Sequence, residues 1–202
     1  MPPAPSLRLP ARAAIFVVAL LAILAACGAA TFDPSGPCTA DGRAAGAYPD
    51  LEALVPTTLE GRAADTVDSG RNCTPTSLSS LAAHGVKELR FAGSTWSSGP
   101  NAGVSIAVFD APGLEADWVH EFYVTGAENG RDTESIEEST PTVGGKPAYR
   151  VDALNGDSYQ SVIDWQDGEH VRVVLVASNV REVSTKAQHE QSVQAALAAA
   201  GG

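Results

Sequence analysis

The chain has 202 residues, enough for one domain and a targeting segment, and 44% of them are hydrophobic, enough to build a core. Its formal net charge is −11. A surface that acidic repels phosphate backbones and anionic lipid headgroups, which argues against nucleic-acid binding and against membrane attachment by charge alone.

At the start of the chain, Arg8 and Arg12 precede an unbroken apolar stretch, AAIFVVALLAILAA, at residues 13–26. As a helix these residues would rise only about 21 Å, short of the roughly 30 Å hydrocarbon core. Length therefore favours a signal-peptide core over a membrane span. The stretch ends in Leu24-Ala25-Ala26-Cys27: a branched apolar residue, two small ones, then cysteine. This junction resembles the lipobox of bacterial lipoprotein precursors. The resemblance implies a diacylglycerol joined by a thioether to Cys27, then cleavage between Ala26 and Cys27. Residues 1–26 are then a signal peptide, and the mature protein is lipid-anchored on the outer side of a cell membrane or envelope. Cleavage removes two arginines and no acid, leaving a mature charge of −13.

Residues 27–47, rich in Gly, Ala, Pro and Thr without apolar periodicity, read as a lipidated N-terminus and flexible tether. Fully extended, it would reach roughly 70 Å. The predicted domain is residues 48–202. With Cys27 lipidated, Cys38 and Cys73 remain, and two exported cysteines read as one disulfide. The loop it closes would contribute roughly 3–4 kcal/mol in the chain-entropy model.

In the domain, Thr74-Pro75 signals a helix start, Leu78, Leu81 and Ala82 follow at helical spacing, and Gly85 suits the stop. Residues 88–96 and 103–109 read as a hairpin. A second helix is predicted after Pro112-Gly113, with Leu114, Trp118 and Phe122 on its core face and Asp117, His120 and Glu121 facing solvent. Strands are predicted at 146–153, 159–165 and 170–177. The last two are joined through Asp167-Gly168, a pair suited to a type I′ turn. Apolar residues at both parities of 170–177 predict a central strand covered on both faces. Thr185 and Gln188 form a capping-box pattern ahead of a third helix, with Val193, Ala196, Leu197 and Ala200 as its stripe. The order predicts an α+β fold: a mainly antiparallel sheet built from hairpins, with helices packed on one face.

Catalytic signatures are sparse. There is no Gly-x-Ser-x-Gly elbow, and Gly144-Gly145-Lys146-Pro147 reads as a turn, with proline where a phosphate-binding loop needs Ser or Thr. His84, His120, His170 and His189 are scattered, so no metal or cofactor site is predicted. Asp132, Glu134, Glu137 and Glu138 lack calcium-loop spacing and read as a solvated edge or loop. Trp96, Trp118 and Trp165 read as core. The expectation is a non-enzymatic binding or accessory module for an envelope protein, the wall or a small ligand. A carrier of an apolar ligand and a hydrolase with a spatially assembled site stay open as alternatives.

Overall fold

A computed structural model describes residues 32–180 and 185–201, which fall within one compact unit, Thr31–Gly202. The elements in chain order are β1 (Gly42–Ala44), α1 (Pro49–Glu52), β2 (Thr58–Leu59), β3 (Arg62–Ala63), β4 (Thr66–Asn72), α2 (Pro75–Leu78) running into a 3₁₀ turn (Ser79–Ala82), β5 (Leu89–Gly99), β6 (Ala102–Asp110), α3 (Ala116–Glu128), β7 (Thr133–Ser139), β8 (Thr142–Val143), β9 (Lys146–Asn155), β10 (Ser158–Asp167), β11 (His170–Asn179) and α4 (Lys186–Ala199). The main sheet runs β1-β4-β5-β6-β11-β10-β9-β7, with β8 beside β9 and every pairing antiparallel. The fold is α+β, built largely from hairpins. No helix among the described residues is long and apolar enough to cross a membrane.

Turn chemistry fixes the hairpins. β10 and β11 pair from Ser158↔Asn179 to Asp167↔His170, leaving Gly168-Glu169 as the loop. Only Gly168, at φ 67°, is left-handed there. The turn is therefore of type II′, with glycine in the first central position, and not the type I′ the Asp-Gly pair suggests. Gly144 and Gly145, both at positive φ, make the I′ turn between β8 and β9 instead.

Strand alternation divides the core. On one face, Trp96, Ile106, Ile163, Trp165, Val174 and Val176 pack under Val193, Ala196 and Ala200 of α4. Further along this face, Ala92 and Val108 lie under Tyr48, Leu51 and Val55. β11 is central, between β6 and β10, and Val171, Val173, Val174 and Val176 are all buried, at both parities.

The opposite parity carries α3. Its Tyr123 stacks on Phe109 of β6, with ring centroids 6.4 Å apart. Its His120 lies against Asp164 of β10 and Tyr149 of β9. Helices therefore cover both faces, contrary to the one-face expectation. Sheet strands in this chain present apolar residues at both parities, and each face needs its own cover.

Two further expectations change. α3 buries Ala116, Val119 and Tyr123, while Trp118 and Phe122 are only half-buried and His120 turns inward. Of the expected Leu114-Trp118-Phe122 stripe only Leu114 is buried, and the face that α3 turns to the sheet is Ala116, Val119 and Tyr123. Of the expected tether, residues 32–47 are part of the fold: Phe32 packs edge-on to Tyr48, and β1 pairs with β4. Arg71, 5% exposed, donates to the carbonyls of Asp33, Pro34 and Pro37 and holds this segment down. A Cβ on Gly42 would collide with the Phe32 ring, so the close packing requires glycine there. Cys27 and the signal peptide lie outside the described residues.

Candidate functional site

An open groove of about 960 Å³ crosses one end of the sheet, where β6 leaves for α3 and β10 turns into β11. Its wall mixes charges: Arg90 and Lys146 against Asp110, Glu115 and Asp117, with the Tyr149 ring between. Arg90 pairs with Asp110 and lies 5.6 Å from the Tyr48 ring centroid. Asp167 bridges Arg172 and Lys146, and these two cations, Arg172 first, hold its carboxyl below the usual range. Gln166 organises this end of the fold: its side-chain oxygen accepts from the Ala116 amide at 3.1 Å, capping α3, while its Nε2 donates to the Gly168 and His170 carbonyls. A smaller hollow of about 400 Å³, bounded by residues 34–36, Tyr48, Arg71 and Glu88, shares Arg90 and Asp110 with the groove.

Behind Tyr149 sits a charge cluster that runs from exposed Glu138 to buried Asp164. His120 stacks on Tyr149, with Nε2 3.0 Å from Glu138 on edge strand β7 and Nδ1 3.6 Å from Asp164. Asp164 is fully buried, and neither of its oxygens has a hydrogen-bond partner among the described residues. Burial pushes its carboxyl up to about 6, against the opposing pull of His120. Asp164 raises the His120 value in turn, with burial opposing it and Glu138 adding to the rise. A His–carboxylate pair of this kind resembles half of a catalytic relay. The position a nucleophile would take at Nε2 is filled by Glu138.

A second polar cluster lies on the other face, under α4. His189 Nε2 is 2.8 Å from the Ser161 hydroxyl, and its Nδ1 is 2.8 Å from that of Ser178. Ser161 donates to Asp152, which together with Glu190 holds Arg150. Burial lowers the His189 value. The acid lies on the serine side of the imidazole, not behind it, so the geometry is not that of a Ser-His-Asp relay. Ser161 is 1% exposed and His189 2%. Neither lines the groove.

The remaining site candidates resolve simply. Cys38 and Cys73 face each other with Cα atoms 5.4 Å apart, a separation compatible with a disulfide. His84 stacks on Trp118 and pairs with Glu121 at 2.7 Å, and His170 lies 3.4 Å from Asp110. Among the described residues no three His, Cys, Asp or Glu side chains are placed to hold a metal ion. Of the acidic run, Glu134, Glu137 and Glu138 lie in β7, the outer strand of the sheet, with Asp132 just before it. Trp96 and Trp165 are core, 3% and 1% exposed.

Asp164 and the Ser161–His189 pair were not singled out by sequence reasoning. Asp164 left one signal, a lone acid inside the apolar run Val162-Ile163-Asp164-Trp165. Ser161 and His189 left none, because a strand and a helix bring them together only in space. No family model, curated protein or solved structure matches the chain.

Proposed function

We propose that the protein is a lipid-anchored envelope lipoprotein whose domain acts as a binding or accessory module. The observation that carries this reading is a contrast in accessibility. The polar groups best arranged for chemistry, Ser161 and His189, are sealed in the core, while the accessible concave surface is a wide groove of mixed charge. A nucleophile closed to solvent cannot meet a substrate. A groove carrying Arg90 and Lys146 beside Asp110, Glu115 and Asp117 suits a polar partner with charges of both signs, such as an extended peptide of an envelope protein or of the wall. A carrier of an apolar ligand would need an enclosed, mainly apolar pocket.

The anchor rests on the Leu24-to-Cys27 junction. The Cys38–Cys73 bridge would fasten the folded N-terminal segment to the start of α2, where Thr74 caps the helix and Asp41 accepts from the Cys73 and Thr74 amides.

The test is a photo-reactive residue at exposed Glu169, on the groove rim, in protein expressed in its own envelope. A discrete adduct is expected, and Glu115→Lys with Asp117→Lys should diminish it without changing the melting temperature. The reading is overturned if the purified domain turns over a substrate and His189→Ala or His120→Ala abolishes turnover at unchanged melting temperature.

A further inference from the structure

We infer that the domain stands on the bilayer by its β1 edge, with the β7 edge directed away, and that an anionic lipid surface enforces this orientation; the inference rests on the lipidation of Cys27 proposed above.

Chain length supplies the first part of the argument. The fold does not begin at residue 48 but already includes Phe32, which is fixed against Gly42 and Tyr48 and lies under the Arg71 guanidinium, 5.6 Å from its ring centroid. Five residue steps separate Cys27 from Phe32. Fully extended, these span no more than about 18 Å. A tether of that reach cannot hold the domain clear of the headgroups. The part of the surface beside Phe32, namely β1 and residues 33–41, must stay near them.

Sheet order supplies the second part. β1 and β7 lie at opposite ends of the strand order. At about 4.8 Å per strand, the sheet is roughly 34 Å wide, nearly twice the reach of the tether. With β1 near the bilayer, the domain can either lie flat on a face or stand with β7 outermost.

Charge decides between these. Residues 32–110 build β1, β4, β5 and β6, the half of the sheet nearest the anchor. They carry nine acids and five bases, a net charge of −4. Residues 111–202 build β11, β10, β9 and β7, the far half, with fifteen acids and six bases, a net of −9. The far half includes the exposed Glu134 and Glu137 of β7, with Asp132 just before the strand. Within a Debye length of anionic headgroups, the more acidic half is repelled more strongly. The resulting torque turns β7 away from the lipid and leaves the acidic edge free for a partner.

The lipidated protein itself supplies the probe sites. With Cys27 acylated and Cys38 and Cys73 bridged, an introduced cysteine would be the one free thiol. Thr39→Cys and Glu134→Cys, both exposed positions, are each labelled with a fluorophore. The lipidated proteins are reconstituted into phosphatidylcholine vesicles containing one-fifth phosphatidylglycerol and a headgroup-spin-labelled quencher. Quenching at position 39 is expected to exceed that at 134 several-fold. High salt, or omission of phosphatidylglycerol, should narrow the difference. Equal quenching at the two positions, stronger quenching at 134, or a difference indifferent to both salt and lipid charge would overturn the inference. Failure of the wild-type protein to float with vesicles would instead refute the lipid anchor, so the two ideas fail by different observations.

Discussion

Replacing Asp164 with asparagine should flatten the dependence of the domain's stability on pH. The carboxyl is fully buried, without a hydrogen-bond partner among the described residues, and burial pushes it up to about 6 from an ordinary 3.8. A folded value above the unfolded one means the fold prefers the protonated acid. That contribution is complete below about pH 4 and is lost as pH rises through about 6, amounting to about 3 kcal/mol. His120 acts in the same direction. Its value is raised, so its contribution is present below its unfolded value and lost as pH climbs through the folded one. Asp41, Asp167, Glu190 and His189 have depressed values, and their contributions are lost as pH falls. These last four groups are common to both proteins and largely cancel in the comparison, whereas the rise at His120 owes most to Asp164 and shrinks with it in the asparagine variant. Urea unfolding at pH 4.5, 6 and 8, followed by the fluorescence of buried Trp96 and Trp165, measures the difference. Between pH 4.5 and 8, the wild type should lose about 2 kcal/mol more than Asp164→Asn, part of the full span having gone by pH 4.5. Parallel profiles for the two proteins would refute the burial argument.

Other substitutions test the packing. Trp165→Ala should cost roughly 3–5 kcal/mol, as truncation of a buried aromatic does, whereas Trp118→Ala, at a half-buried position, should cost clearly less; thermal melts that rank them the other way would contradict the helix phase. Replacing both Cys38 and Cys73 with serine should lower stability by roughly 3–4 kcal/mol, read as a reduced urea midpoint, with non-reducing peptide mapping of the wild type recovering the two segments linked. Arg71→Met should release residues 33–37, whose carbonyls it binds, and hydrogen exchange should rise there while β10 and β11 stay protected; unchanged exchange would show that Phe32 and β1 hold the segment without it. Ser161→Ala should destabilise by about 1–3 kcal/mol, because it leaves the buried imidazole of His189 short of a partner, and an unchanged melting temperature would contradict that role.

The hairpins were legible because two local signals agree there. Val171, Val173 and their even-numbered neighbours give the apolar strand, and glycine at 168 gives the turn. β4 and β7 were not legible. Their sequences, TVDSGRN and TESIEES, are polar, and they are strands because β5 and β9 offer them backbone partners. The phase of α3 was misread because Leu114, Trp118 and Phe122 recur every four residues and suggest one continuous face. The face that docks is Ala116, Val119 and Tyr123, beside the cap that Gln166 places on the Ala116 amide. The folded N-terminal segment was hidden because much of what holds it is backbone: carbonyls gripped by Arg71 and a short pairing with β4. Composition does not report such contacts. Of the candidate site, the cysteine pair and the acidic edge could be read in advance. The groove and the two histidine clusters could not, since each combines residues from distant elements.

The lipid anchor carries both the proposed location and the proposed orientation, and it is open to one direct measurement. Intact-mass and N-terminal peptide mass spectrometry should be run on the wild-type protein purified from its native envelope. The account predicts a mature chain that starts at Cys27 and carries a diacylglycerol on the cysteine sulfur, with Cys27→Ala yielding uncut or aberrantly cut precursor. An unmodified Cys27, or a mature terminus at any other residue, would contradict it.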